Sequence, residues 1–288
     1  MKKCATIIFY SALFLLFACT DGKKATRATG NAGNLQEQPE KDKETRTDSV
    51  WIKTIKYDSI KVHEEYTFAY VKEDAPTLTI DISLPTIDLG NNEATARLDS
   101  ALALGIFNTP FTLRQSCDTF IAMQKKKFDE LRDDFHNFKE GKIPPGLMQQ
   151  YCYIVGEAVI GYKGYINYTV SREEYYGGAH PNTYHNILNF DPKTGHEIAF
   201  YDIFKEGCED ILTAMLIEEL MNYAQVSDMD ELHEKGFLFI DTEMFISQNF
   251  ILGKDGITFL YNRYEIAPYA MGDIKLTLDY TTLKDIMK

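Results

Sequence analysis

The sequence predicts an α+β protein in which antiparallel sheets carry packed helices, arranged as two subdomains. Some segments alternate apolar and polar residues with the two-residue period of a strand, whereas longer segments repeat apolar residues at helical spacing. Regular strand-helix-strand alternation is missing, and strands are followed by helices and then by strands again. This order favours antiparallel sheets over a parallel sheet built from crossovers.

The N-terminus has the layout of a secretory signal peptide. Lys2 and Lys3 form a short positive segment, and residues 7–18 are an almost unbroken apolar run. A run of about a dozen residues is too short to cross a bilayer as a helix, which needs about twenty. We therefore expect residues 1–18 to be cleaved.

The end of that run reads Leu-Phe-Ala-Cys and resembles the lipobox of bacterial lipoproteins. The resemblance implies a diacylglyceryl thioether on Cys19 and an acylated new N-terminus, which would hold the chain on a lipid bilayer. An ordinary signal peptide with a cysteine at its end by chance is the alternative, since Phe17 is a less usual neighbour. The expected location is the cell envelope, at the outer membrane, with the periplasmic and surface faces both left open.

Residues 19–50 are rich in Lys, Glu, Thr, Gly, Asn and Gln and are expected to form a disordered tether. Residues 51–171 and 172–288 are the two expected α+β subdomains. The formal charge of −13 and the absence of a basic motif argue against nucleic acid as a partner. Cys117, Cys152 and Cys208 are widely spaced, so we expect buried free thiols, with one disulfide as the alternative.

The first subdomain is expected to begin with strands at residues 51–70 and 78–84, the second ended by Pro85. A helix capped by Asn91 or Asn92 follows, and a longer helix carries a Phe-rich apolar stripe. The two apolar faces consist of Ala94, Leu98, Ala101, Leu102 and Gly105, and of Ile121, Phe128, Leu131, Phe135 and Phe138, the latter stopped by Gly141, Pro144 and Pro145. Residues 151–159 and 161–170 are predicted to form a hairpin.

The second subdomain is expected to open with a hairpin whose turn contains Pro192 and Gly195. Its predicted strands are residues 182–190, 196–201, 249–252, 257–261 and 274–279, and its predicted helices are residues 209–225, 241–247 and 282–287. The segment 253–256, with a glycine at each end, is the turn of a second hairpin.

Two motifs carry a resemblance to a known family. Residues 175–181 read Tyr-Tyr-Gly-Gly-Ala-His-Pro, and residues 259–272 read Phe-Leu-Tyr-Asn-Arg-Tyr-Glu-Ile-Ala-Pro-Tyr-Ala-Met-Gly. Both are similar to the extracellular region of RsiV-type anti-sigma factors. The same paired domains of unknown function occur beside the catalytic domain of PdaC-type peptidoglycan deacetylases.

The resemblance covers roughly residues 56–288 and implies a receptor module that binds lysozyme. Because only a cleavable signal is expected before the tether, and no deacetylase metal-binding motif is recognised, sigma-factor control and deacetylation are not expected. What remains is a lipid-presented, non-enzymatic binding module without a cofactor, for a lysozyme-like protein or peptidoglycan.

The first candidate binding group is Tyr176, Gly177, Gly178 and His180. Adjacent glycines allow positive φ and close approach of another backbone, and exposed N–H groups in such a turn can bind an anion. The alternative is a tight corner in which His180 bonds to a neighbouring sheet. An enzyme acting on cell-wall glycan or peptide, with His180 in its site, is the rival function.

The second candidate group is Tyr261, Arg263, Tyr264 and Tyr269, since Tyr and Arg dominate binding hot spots. These residues could equally describe a corner of the fold. His180, His185 and His196 match no metal-ligand spacing, and Glu197 does not complete a His-Glu-x-x-His motif, so no metal is expected. Serine-hydrolase, P-loop and dinucleotide motifs are also missing.

Overall fold

The computed structural model describes residues 55–67, 76–132, 149–238 and 244–288. Within them lie eight strands in two sheets and six α-helices, which confirms the α+β prediction. The elements are β1 Lys56–Thr67, β2 Thr77–Asp88, α1 Asn92–Phe107, α2 Leu113–Glu130, β3 Gln149–Ile160, β4 Ile166–Tyr175, β5 Asn182–Phe190, α3 Phe200–Ile203, α4 Glu209–Ala224, α5 Met229–Glu234, β6 Phe250–Leu252, β7 Gly256–Tyr261, β8 Ile274–Asp279 and α6 Tyr280–Leu283.

The larger sheet has the strand order β1-β2-β3-β4-β5. Its neighbouring strands are antiparallel except for β2 and β3, which run parallel. The parallel pair arises because the chain returns to the sheet only after α1 and α2. One side chain in two along β2 is buried, which matches the period of a strand with one covered face. These buried residues, Leu78, Ile80, Ile82 and Leu84, belong to the same core as the inner faces of both helices.

The helices of this subdomain begin where the sequence provides caps. The Asn91 side chain accepts hydrogen bonds from the backbone N–H groups of Glu93 and Ala94, as predicted. At the start of α2, Thr112 and Gln115 form a reciprocal capping box. These caps satisfy backbone donors that a helix leaves without intrahelical partners.

The smaller sheet is antiparallel, with the order β6-β7-β8, and α4 packs on it. Leu212, Leu216 and Leu220 recur every four residues along α4 and are fully buried. They form a second core with residues from α3 to the C-terminus. The two cores divide near residue 199, whereas β4 runs through the boundary expected at residue 171.

Several predicted element boundaries are wrong. Strand β2 was expected to end at Pro85, but it stays paired with β1 as far as Asp88. A proline is tolerated there because the pairing of β2 with β3 already stops at Ser83, so Pro85 has a strand on one side only. Residues 196–201 contain one isolated bridge, from Phe190 to Glu197, and then enter α3, so they are not a strand.

The short helix predicted at residues 241–247 is not present at residues 244–247, and helix α5 lies earlier in the chain. The C-terminal helix is α6, two residues before its predicted start. Phe135, Phe138, Gly141, Pro144, Pro145, the signal peptide and the tether lie outside the described residues. Within the described residues, no helix is both long and apolar enough to cross a membrane.

Asparagine side chains join the two sheets. Asn262 Oδ1 accepts the His185 N–H at 2.7 Å, and Asn262 Nδ2 donates to the His185 carbonyl at 3.1 Å. Asn249 Oδ1 accepts the next outward-pointing N–H, that of Ile187, at 3.1 Å. At His185 and Ile187 the outer edge of β5 is thus bonded by side-chain amides, and further along the Asn189 carbonyl accepts the backbone N–H of Ile198. These bonds satisfy backbone groups that an open edge would expose.

A further amide pair lies at the centre of the junction. Buried Asn167 donates to the Leu252 carbonyl at 3.1 Å and accepts the Leu252 N–H at 2.7 Å. Gly161 packs against the backbone of Leu252, and a Cβ atom at residue 161 would lie only 1.9 Å from the Leu252 carbonyl oxygen. Only glycine fits this approach, so the junction is specified by an asparagine and a glycine together.

Candidate functional site

Two predicted segments that are distant in sequence meet in one cluster. The His180 and Tyr269 rings stack with centroids 4.2 Å apart and planes 23° apart. The Arg263 guanidinium lies 4.3 Å from the Tyr269 centroid, and the Tyr264 ring lies 5.6 Å from it. We call His180, Arg263, Tyr264 and Tyr269 the aromatic corner. Tyr269 is its centre, because it contacts the other three.

The backbone at the aromatic corner is held in a sparsely populated conformation. Tyr264 has φ of 67° and is 51% exposed, although a bulky residue seldom adopts positive φ. Its N–H donates to the Ala267 carbonyl at 3.0 Å, and the Glu265 N–H donates to the Asn262 carbonyl at 3.1 Å. This turn therefore presents an aromatic ring to solvent at a conformational cost, a feature that is frequent at functional sites.

The other predicted binding residues lie elsewhere. The Tyr176 hydroxyl donates to Gln124 Oε1 of α2 at 3.1 Å, which places it on the helix-covered side of the sheet. Tyr261 is fully buried, and its hydroxyl donates to the Phe245 carbonyl at 2.9 Å. Gly177 and Gly178 have φ of 98° and 117° and form the turn that leads to His180.

A charged pair that the sequence analysis missed lies under the helices. Arg172 Nε donates to Glu174 Oε1 at 2.6 Å, and the Arg172 guanidinium lies 4.6 Å from the Phe120 ring centroid. Burial lowers the pKa of Arg172, but the Glu174 carboxylate outweighs it and raises the pKa overall. Arg172 and Glu174 lie two and four residues after buried Val170, so all three side chains point to the same face of β4. This spacing could have indicated from the sequence that the pair faces the helices. The Arg172 guanidinium also lies 5.8 Å from the Tyr184 ring centroid, so the pair contributes to packing between the sheet and α2.

A cleft of about 810 Å³ lies beside the aromatic corner, where the larger sheet meets the segment before β8. At its base His185 Nε2 lies 3.2 Å from Asp273 Oδ2. The Arg263 N–H donates to Asp273 Oδ1 at 3.3 Å, while Arg263 Nε is 3.9 Å from that oxygen and makes no hydrogen bond within the described residues. Burial by itself raises the pKa of Asp273, but the bond and charge of His185, with Arg263, lower it overall.

The cleft continues across the open face of the larger sheet as two rows of cross-strand neighbours. The first row is His63, Asp81, Tyr153 and Glu173, and the second is Lys61, Ser83, Val155, Ser171 and His185. A hollow of about 420 Å³ at the β1 end shares Val155 with the cleft. We call the cleft, the hollow and the rows of residues between them, from His63 to Asp273, the sheet groove.

Other parts of the structure bear on metals and thiols, and a third hollow lies apart from the site. No group of three or more His, Cys, Asp or Glu side chains within the described ranges could hold a metal ion. Cys117, Cys152 and Cys208 are free and buried. A separate hollow of about 640 Å³ lies between β1, β2 and α1, and contains none of the predicted site residues.

Fold and site together define an α+β protein with a cleft where two sheets meet, lined by both apolar and charged side chains. Residues 201–281, from α3 to α6, match the family model described as a protein of unknown function, DUF3298. This segment supplies Arg263, Tyr264, Tyr269 and Asp273, whereas His180 and His185 lie outside it. Comparison with curated proteins gave no match.

Two crystal structures of DUF3298 family proteins are similar to this chain. The one from Bacteroides fragilis has a TM-score of 0.69 and 27% identity, over 81% of this chain and 94% of that one. The one from Pseudomonas aeruginosa has a TM-score of 0.55 and 19% identity, over 81% and 95%, and shows likeness of fold alone.

Proposed function

We propose that this protein is an envelope-anchored, non-enzymatic binding lipoprotein that recognises a cationic protein such as lysozyme. The aromatic corner is the observation that carries the proposal. It unites His180 with Arg263, Tyr264 and Tyr269 and leaves the Tyr264 ring in solvent.

The composition of this surface supports contact with a protein. Tyr and Arg are enriched at binding hot spots, since they bury a large area and keep a polar tip. Met271, 37% exposed, adds an adaptable apolar side chain at the rim. The stacked rings and the fixed turn at Tyr264 limit the entropy lost on binding.

Charge supports a cationic partner. The formal charge of −13 would steer a basic protein toward this chain and raise the association rate, most strongly at low salt. The similarity of the motifs at residues 175–181 and 259–272 to lysozyme-binding RsiV-type receptors supports the same partner class.

The anchor rests on the lipobox-like residues that end at Cys19. Several acyl chains give stable membrane attachment, and residues 19–50 would hold the folded part away from the bilayer. Fractionation of cells that produce the Cys19→Ser variant tests this directly. The variant is expected to leave the membrane fraction, and an unchanged distribution would remove the anchor from the proposal.

The rival function, an enzyme with His180 in its site, has less support. His180 Nδ1 lies 3.1 Å from the Pro181 carbonyl oxygen, and the ring is stacked on Tyr269. The cleft of about 810 Å³ is lined by His185 and Arg263 but not by His180. A general base needs reach to a bound substrate, which this arrangement does not provide.

Lysozyme binding to the Tyr264→Asn variant is the decisive experiment. Asparagine tolerates positive φ, so the turn is kept while the ring is removed. We expect saturable binding by the parent chain that weakens with salt, and a loss of about tenfold or more in the variant. Tyr201→Ala is the matched control, because Tyr201 is similarly exposed on α3. Absence of binding by the parent at low salt would exclude lysozyme as the partner.

A further inference from the structure

The sheet groove differs in charge from the rest of the molecule. Its lining includes three basic residues, Lys61, Arg263 and Lys275, and three acidic residues, Asp81, Glu173 and Asp273. The chain as a whole has a formal charge of −13. A balanced groove on a strongly acidic chain does not select a highly charged ligand of either sign, because attraction to one half is opposed by the other.

Tyrosine rings supply flat apolar surface along the same face. The Tyr151 and Tyr153 rings stack with centroids 4.6 Å apart, and the Tyr175 ring lies 5.8 Å from Tyr151. The Tyr151 hydroxyl donates to Glu173 Oε1 at 2.9 Å, which fixes the carboxylate beside the rings. Flat rings beside fixed acceptors and donors suit a ligand that has apolar ring faces and many hydroxyl groups.

The groove also has the shape of an extended site. Its first row crosses four strands, β1 to β4, and its second row crosses all five, at an interstrand spacing of about 4.8 Å. Four such spacings give about 19 Å, which is longer than one sugar ring and suits a short chain of them. Val155, 53% exposed, lies at the middle and joins the two hollows.

We propose that the sheet groove binds an uncharged polysaccharide strand, laid across the strands from His63 to Asp273. The Tyr153 ring packs against a sugar face, and Glu173 and Arg263 hydrogen-bond hydroxyl or acetamido groups. Arg263 lines the cleft, so its guanidinium is the donor placed to meet such a ligand. This site adjoins the lysozyme contact proposed above and shares Arg263 with it, but the proposal does not depend on lysozyme binding.

Calorimetric titration of the full chain, carrying Cys19→Ser to remove the lipid, tests the proposal. The probe is the β-1,4-linked tetrasaccharide of N-acetylglucosamine, with the corresponding glucose tetrasaccharide as a second neutral probe. We expect one neutral probe or both to bind, and the deacetylated, cationic tetrasaccharide to bind more weakly. Exclusive binding of the cationic form or of an acidic oligosaccharide would overturn the proposal.

Two variants locate the site. Tyr153→Ala removes the ring and Glu173→Gln removes the carboxylate, and each is expected to weaken neutral tetrasaccharide binding about tenfold or more. Tyr57→Ala is the control, since Tyr57 is 49% exposed and lines the separate hollow near α1. No binding by the parent chain at millimolar tetrasaccharide, or equal binding by both groove variants, would overturn the proposal.

Lysozyme binding by the same proteins separates the two proposals. Tyr153→Ala is expected to retain lysozyme binding, and Tyr264→Asn is expected to retain tetrasaccharide binding. If the parent chain binds the tetrasaccharide but not lysozyme, only the proposal of lysozyme binding is overturned. Circular dichroism of each variant checks the fold, and Glu173→Gln keeps the test valid if Tyr153→Ala unfolds.

Discussion

His185 Nε2 lies 3.2 Å from Asp273 Oδ2, and this contact joins the edge strand of the larger sheet to the residue before the last strand of the smaller one. Both side chains are mostly buried, with exposed fractions of 23% and 18%. The contact is therefore screened less by solvent than a surface ion pair. It links the relative position of the sheets to the protonation of one carboxyl group.

The Asp273→Asn variant is expected to show a flatter acid limb in its stability profile. The pKa of Asp273 is lowered in the folded protein, so its contribution is present above the unfolded value of about 3.9 and is lost as pH falls through the folded pKa. The variant should be about 1–3 kcal/mol less stable at pH 7 and lose less between pH 5 and 3. Urea unfolding at each pH measures the free energy of unfolding.

The control is Asp118→Asn, because Asp118 is an exposed carboxylate on α2. Parallel stability profiles for Asp273→Asn and the parent would contradict the expectation.

The Asn262→Ala variant is expected to be strongly destabilised. It leaves both the N–H and the carbonyl of His185 without their side-chain partner. A buried group left unsatisfied costs about 1–3 kcal/mol, so a loss of about 2–4 kcal/mol is expected in chemical unfolding. Asn222→Ala, on the exposed side of α4, should change stability by less than about 0.5 kcal/mol. Similar midpoints for the two variants would show that the amide bonds do not stabilise the junction.

Gly161→Ala and Gly164→Ala separate a steric clash from backbone strain. A Cβ at Gly161 would stand 1.9 Å from the Leu252 oxygen and 2.3 Å from Asn167 Nδ2, with φ in the ordinary range. Gly164 has φ of 79° but nothing within 4 Å. We expect a loss of about 3 kcal/mol or more at Gly161 and about 1 kcal/mol at Gly164, read from thermal unfolding. The reverse order would mean that the junction can open at little cost.

The buried thiols are expected to react slowly in the folded protein. Burial raises the pKa of Cys117 to about 12, and burial with the nearby Glu174 carboxylate raises that of Cys152 to about 12. At pH 8 only about one thiol in 10⁴ is then the reactive thiolate. Labelling with a disulfide reagent should follow unfolding, with full reaction in denaturant as the reference. Rapid labelling of both residues in native buffer would contradict this burial.

Local patterns were sufficient to predict most individual elements. The Asn91 cap, the two-residue period at residues 78–84 and the helix predicted at residues 209–225 reflect short-range chemistry, and the structure confirms each. Residues 196–201 have the composition of a strand, but only one bridge forms there before α3 begins. Composition alone could not reveal that no partner strand pairs with the segment.

The candidate site depends on relationships that a single sequence does not contain. His180 and Tyr269 were both predicted as binding residues, but their stacking depends on how the turn between β4 and β5 packs against the segment before β8. The sheet groove required the register of five strands, since Asp81 becomes a neighbour of Tyr153 only through the parallel pairing of β2 with β3. The sequence motifs identified the residues of the aromatic corner, whereas the sheet groove could be identified only from the strand pairing in the structure.

The parallel pairing of β2 with β3 also has a consequence for the order of folding. Thr77 pairs with Gln149, so the middle of the larger sheet cannot form until the chain has closed the long loop between these residues. Until then the nascent β1–β2 hairpin presents an unpaired edge and the apolar side chains of Leu78, Ile80 and Ile82. Such an intermediate is prone to aggregation. The yield of folded protein in cells should therefore depend on chaperones that hold unfolded chains more than the stability of the finished fold suggests.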